Sequence, residues 1–82
     1  MKIAFTPAAW QDWQKLPKTV QERLKAKLLL FARNPLRHAV KVTDPQIGQY
    51  RFRIGDYRIL FDLAENTIVI LAVGHRKDIY KK

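Results

Sequence analysis

Cysteine is absent from the 82 residues, and with it go disulfides, thiolate metal sites and cysteine nucleophiles. A chain this small without such cross-links suits a reducing compartment, so the expected location is the cytoplasm. Serine is absent too, which removes serine-based triads, and the three glycines form no phosphate-cradling loop. No apolar run approaches the roughly 20 residues of a membrane span, and the N-terminus lacks the apolar stretch of a signal peptide. Neither export nor a membrane partner is expected. Acidic residues are few, seven against sixteen Lys and Arg. Asp44, Asp56, Asp62, Glu65 and Asp78 show no recurring ligand spacing, and a chain of net charge +9 repels cations, so neither a metal ion nor another cofactor is expected.

What is present supports one ordered domain spanning residues 1–82. Leu, Ile, Val and aromatic side chains suffice for one hydrophobic core and not for two, which leaves any site on the surface of that core. The excess of positive charge points to a polyanionic partner, nucleic acid first. It does not locate a site by itself. Residues 1–41 hold nine Lys and Arg against two acids, net +7, whereas residues 42–82 hold seven against five, net +2.

Residues 2–6 alternate as a half-buried strand does, and Thr6-Pro7 supplies an N-cap followed by proline at the first helical position. Trp10, Trp13 and Leu16 then recur three apart on one side of a first helix, which makes both tryptophans packing residues rather than base-stacking platforms. Pro17 interrupts, and Thr19-Val20-Gln21-Glu22 reads as a capping box opening a second helix. Val20, Leu24, Leu28 and Phe31 form its apolar line, with Arg23, Lys25, Lys27 and Arg33 on or near the other side. Asn34-Pro35 ends it. A connection over 36–49 carries His38, a short strand near Val40 and Val42, and turn signals at Asp44-Pro45 and Gly48. Three strands follow, Gln49–Ile54, Tyr57–Leu63 and Thr67–Val73, as an antiparallel meander. The segment from Gly74 onward loses the alternation and reads as a short helical turn or an irregular tail. The fold class is α+β: an N-terminal strand, a two-helix hairpin, then an antiparallel sheet of three to four strands with a short C-terminal segment.

If Gly55-Asp56 is a two-residue hairpin turn, counting outward pairs Ile54 with Tyr57, Arg53 with Arg58, Phe52 with Ile59 and Arg51 with Leu60. Tyr50, Phe52, Ile54, Tyr57, Ile59 and Phe61 then share the face the helices cover, and Arg51, Arg53 and Arg58 share the other. Like charges directly across a strand pair are unfavourable by up to about 1 kcal/mol, so stability does not explain Arg53 opposite Arg58. An anion does. Arginine's fork of donors suits phosphate and its charge does not titrate in the working range, which makes these residues phosphate holders rather than proton carriers.

The third strand runs directly into His75, Arg76 and Tyr80. Histidine exchanges protons near neutrality, and a phenolate is favoured beside arginines. Together they make a kit for metal-independent RNA cleavage, in which the ribose 2′-hydroxyl attacks the adjacent phosphate. That reaction needs a base, an acid for the leaving 5′-oxygen and positive charge around the developing phosphorane.

The segments Tyr50-Arg51-Phe52-Arg53-Ile54-Gly55-Asp56-Tyr57-Arg58-Ile59-Leu60-Phe61 and Val73-Gly74-His75-Arg76-Lys77-Asp78-Ile79-Tyr80 closely resemble the RelE/ParE toxin superfamily, in its RelE branch. The Trp-x-x-Leu-Pro first helix and the basic second helix ending in Asn-Pro are similar as well. The resemblance implies the toxin of a type II toxin–antitoxin pair that enters the ribosomal A site and cuts messenger RNA. It is silenced by a protein antitoxin, through which the complex binds operator DNA. It further implies a catalytic set of His75, Arg53, Arg58, Arg76 and Tyr80. Arg51, Lys25, Lys27 and Lys77 would contact RNA, the helix lysines touching ribosomal RNA. Some relatives carry lysine where this chain has Arg51 and Arg53, which leaves the base to be assigned among His75 and Tyr80. Two other readings stand beside this one: a ParE-like inhibitor of DNA gyrase without catalysis, and a basic RNA-binding module without enzymatic activity.

Overall fold

Thr6 caps the first helix as its sequence requires, its hydroxyl oxygen accepting from the Ala9 N–H at 3.1 Å with Pro7 in the first helical turn. The computed structural model describes residues 1–44 and 46–79. In chain order it contains β1 (Lys2–Phe5), α1 (Pro7–Gln14), α2 (Lys18–Phe31), α3 (Pro35–His38), β2 (Val40–Lys41), β3 (Tyr50–Ile54), β4 (Tyr57–Ala64) and β5 (Thr67–His75).

Helix α2 begins at Lys18, one residue before the expected capping threonine, and no side chain caps it. Thr19 is thus already inside the helix. Gln21 serves the hairpin in another way, its Nε2 donating to the carbonyl oxygens of Trp13 at 2.8 Å and Leu16 at 3.2 Å. It thereby ties the start of α2 to carbonyl oxygens at the end of α1. The chain beyond α2 makes the extra turn α3, with Pro35 at its start, and His38 stacks on Phe31 at 4.4 Å between ring centroids.

The sheet has five strands in the order β1-β5-β4-β3-β2. Its antiparallel meander β3-β4-β5 agrees with the alternation in the sequence. The N-terminal strand also joins this sheet, pairing parallel to β5 with Phe5 opposite Ile70, so the sheet is mixed. The turn between β3 and β4 is Gly55-Asp56, with Gly55 at φ +59°. That angle at the first central residue suits a two-residue hairpin and favours glycine. Glu65 and Asn66 both have positive φ, 44° and 60°, in the turn between β4 and β5, a pairing that matches the twist of the strands.

Both helices of the hairpin lie on one face. Ala9, Trp13, Leu24 and Leu28 pack there against Phe52, Ile54, Ile59, Phe61, Ile68, Ile70 and Val73. Trp13 is buried and Trp10 is 47% exposed, yet both set their rings edge-on to Phe5, at 5.4 and 5.5 Å. Neither is a free platform. A bulge between Leu60 and Phe61 places Leu71 outside the regular pairing of β4 with β5. Close by, Asp12 on α1 accepts from the Val73 N–H at 3.1 Å through Oδ2. A hydrogen bond to an ionised carboxylate is worth about 1.5–3 kcal/mol. Asp12→Ala is therefore expected to lower the melting temperature by about 10 °C, at roughly 4–8 °C per kcal/mol for a domain of this size, as a circular-dichroism melt will show.

Candidate RNA-contacting site at the end of the sheet

Residues paired across neighbouring strands share a face, so the ladder sorts the basic side chains. Arg53 lies opposite Arg58, and Arg58 opposite Gly74, which puts all three in one row on the face away from the helices. Arg51, Leu60 and Ala72 form the next row. The pairing inferred by counting from the turn is the pairing found.

The three arginines differ in setting. Arg53 is exposed and Arg51 half-buried, whereas Arg58 is only 7% exposed. Its Nη1 donates to the carbonyl oxygens of Gly55 and Tyr57, each at 2.9 Å. A buried guanidinium tied to backbone oxygens keeps its position when a ligand arrives, and such preorganisation strengthens its effect on an anion. Gly74, the cross-strand neighbour of Arg58, is covered as well. After β5 the chain turns and brings Ile79 over Gly74, where a Cβ on the glycine would lie 3.6 Å from that of Ile79. Ile79 and Leu60 are both buried, outside the cluster under the helices. The C-terminal segment thus covers part of the face that the sequence left open.

Arg76 reaches the same turn by another route. Its main-chain N–H donates to the Asp56 carbonyl oxygen at 2.7 Å, and its Nε stands 3.8 Å from Asp56 Oδ1. Lys77 is exposed beside it.

His75 stands in the row of Ile54 and Tyr57, the row that belongs to the helix-covered face. Its ring meets Tyr57 edge-on at 5.7 Å. It is therefore at the sheet's end with the arginines but not in their row. Its Nδ1 accepts from the Lys77 N–H at 3.1 Å. While Nδ1 accepts, a neutral imidazole carries its proton on Nε2, so that nitrogen is a donor.

Lys25 and Lys27 are exposed on α2, on the helix side of the sheet and apart from the arginine row. Lys25 lines an apolar groove with Ile3, Phe5, Trp10, Trp13, Leu28 and Leu29. Tyr80 lies outside the described residues.

One basic residue joins the site without having been singled out for it. Arg23, on α2, extends to the turn between β3 and β4, where its guanidinium carbon is 6.0 Å from the centroid of the Tyr57 ring. In sequence it is one of several basic residues on a helix. Its position beside the apolar line of Val20 and Leu24 was the available signal, since a long side chain at the border of a buried stripe can reach around it.

The chain as a whole is similar to known proteins. Residues 3–80 match a family model described as the ParE toxin of the type II toxin–antitoxin system parDE. The chain is 37% identical to the toxin RelG of Mycobacterium tuberculosis, over 98% of this chain and 95% of that protein. It is 30% identical to the mRNA interferase toxin RelE of Escherichia coli, over 92% of this chain and 82% of that one. Among solved structures, the toxin–antitoxin complex RelBE2 of Mycobacterium tuberculosis superposes with a TM-score of 0.72 at 33% identity, covering 92% of this chain and 96% of that one.

Proposed function

This chain belongs to the ParE toxin family of type II toxin–antitoxin systems and is homologous to the RelE and RelG toxins, and we propose that it is an endoribonuclease that cuts messenger RNA in the ribosomal A site. The observation that carries this reading is the row of Arg53 and Arg58 across the β3–β4 ladder, with Arg76 at the adjoining turn. The guanidinium groups of Arg53, Arg58 and Arg76, with the carboxylate of Asp56 beside Arg76, suit a phosphodiester.

In the proposed reaction the 2′-oxygen attacks phosphorus and the bond to the 5′-oxygen breaks. A 2′,3′-cyclic phosphate and a 5′-hydroxyl result. The 2′-hydroxyl proton goes to a base, and a proton reaches the leaving 5′-oxygen. Arg58, Arg53 and Arg76 hold the phosphate and stabilise its growing negative charge, while Arg51 positions the strand. His75 is the proton-transfer group, with one condition set by its hydrogen bond. In the neutral ring Nε2–H can only donate a hydrogen bond. To act as an acid the ring takes a second proton on Nδ1, which displaces the Lys77 N–H. Tyr80 is the second member of the proton-transfer pair. The partners that fit this reading are the ribosome and its messenger, with a cognate antitoxin, acidic where it meets the arginines, as the silencing protein. The location that goes with this reading is the cytoplasm, where ribosomes and messenger are found.

The test is primer extension on messenger from a reconstituted translation reaction, with and without ribosomes. Breaks are expected only with ribosomes, and none at a codon whose riboses are 2′-O-methylated. His75→Ala should lose about 100-fold in rate. His75→Gln, which donates a hydrogen bond but transfers no proton, should stay equally low; recovery in that variant would assign His75 a donor role alone. The family model's own description favours a second reading, the ParE-like inhibition of gyrase. Intact messenger at high protein concentration, together with blocked DNA supercoiling, would establish that reading instead.

A further inference from the structure

We propose that Arg23 is a further RNA-backbone contact, holding a phosphate next to the one placed by Arg53 and Arg58. The proposal rests on the nuclease reading and extends its site from the sheet to helix α2.

The geometry around Gly55 is the basis. A Cβ on Gly55 would lie 2.8 Å from Arg23 Nη2, so the guanidinium packs directly against the glycine. On the other side of the same residue, Arg58 Nη1 donates to the Gly55 carbonyl oxygen at 2.9 Å. Two guanidinium groups therefore flank one backbone position, one from the helix and one from the sheet. The neighbouring carboxylate, Asp56, stands beside Arg76. Among the described residues no carboxylate lies within ion-pair distance of Arg23.

Like charges brought together around a two-residue turn repel one another, and a polyanion threaded across that turn relieves the repulsion. Arg23 is also exposed, which leaves its guanidinium open to RNA. Tyr57 supports it from below: a cation about 6 Å from an aromatic centroid is held by the ring's quadrupole without losing its donors. The arrangement leaves the N–H fork available to phosphate oxygens. Lys27 lies one helical turn further on, on the same side of α2, and continues the path of positive charge along the helix.

The measurement is ribosome-dependent cleavage as a function of toxin concentration for wild type, Arg23→Ala, Arg23→Lys and Arg33→Ala, with a thermal melt of each. It is paired with binding of a fully 2′-O-methylated oligouridine at several salt concentrations. Arg23→Ala is expected to raise the half-saturating concentration about tenfold and to leave the maximal rate within about threefold. The slope of log affinity against log salt should fall by about 0.7, the loss of one phosphate contact to a single strand. Arg23→Lys should recover the slope and part of the affinity. Arg33→Ala, which removes one charge elsewhere, should leave both curves in place.

A lowered melting temperature in Arg23→Ala with an unchanged slope and concentration dependence would overturn the proposal, because Arg23 would then only brace the turn. So would the same loss in Arg33→Ala, which would make the effect one of net charge. In both cases wild-type cleavage would still stand. Failure of the wild-type protein to cleave or bind RNA would instead remove the nuclease reading, and this proposal with it.

Discussion

Arg58→Ala is expected to abolish most of the cleavage, with a loss of about 100- to 1000-fold in rate at saturating ribosomes, the range seen when one preorganised donor to a developing oxyanion is removed. The reason is the burial of Arg58. At 7% exposed and tied by Nη1 to two backbone oxygens, it would meet the phosphate of the proposed reaction already oriented, whereas Arg53 is exposed and would have to be ordered by the ligand. Arg53→Ala should therefore lose less. Arg58→Lys restores the charge without the fork and should recover only part of the rate. The same change also removes a donor from the carbonyl oxygens of Gly55 and Tyr57, at about 1–3 kcal/mol. Each variant's rate is accordingly compared at a temperature where circular dichroism shows it folded. A rate for Arg58→Ala within about threefold of wild type would remove Arg58 from the reaction.

The largest effect on stability is expected at Phe52. This ring is fully buried and stacks on Phe61 at 4.3 Å, with Phe31 of α2 at 5.0 Å. Phe→Ala in such a place costs about 3–5 kcal/mol in lost burial and residual cavity. At about 0.05–0.15 kcal/mol per residue, the whole fold of an 82-residue chain is worth about 4–12 kcal/mol. Phe52→Ala should therefore bring the protein close to unfolding, which a urea titration will report as a large fall in midpoint with little change in slope. The link to function is direct, because Phe52 lies between Arg51 and Arg53 on β3. It anchors the strand that presents both.

Much of the site follows from local rules. The two-residue turn at Gly55-Asp56 and the period of two along a strand are enough to place Arg53 opposite Arg58, because a hairpin's register is counted from its turn. Thr6-Pro7 starts α1 for an equally local reason. The capping box at Thr19 failed because its signal competes with an alternative only a residue away: α2 starts at Lys18, and the tertiary partner of Gln21 is the end of α1. The parallel pairing of β1 with β5 was likewise beyond local rules, since it joins residues more than sixty positions apart.

The sequence by itself determined most of the elements, the register of the hairpin and the set of basic residues, because backbone periods, turn geometry and side-chain charge are properties of short segments. Only the tertiary structure decided how those residues are used. It buried Arg58, brought Ile79 over Gly74, put His75 in the row of Tyr57, and carried Arg23 from a helix to the turn at Gly55. Each of these depends on the packing of segments distant in sequence, where the length of a side chain and the space left by a glycine settle which charges meet.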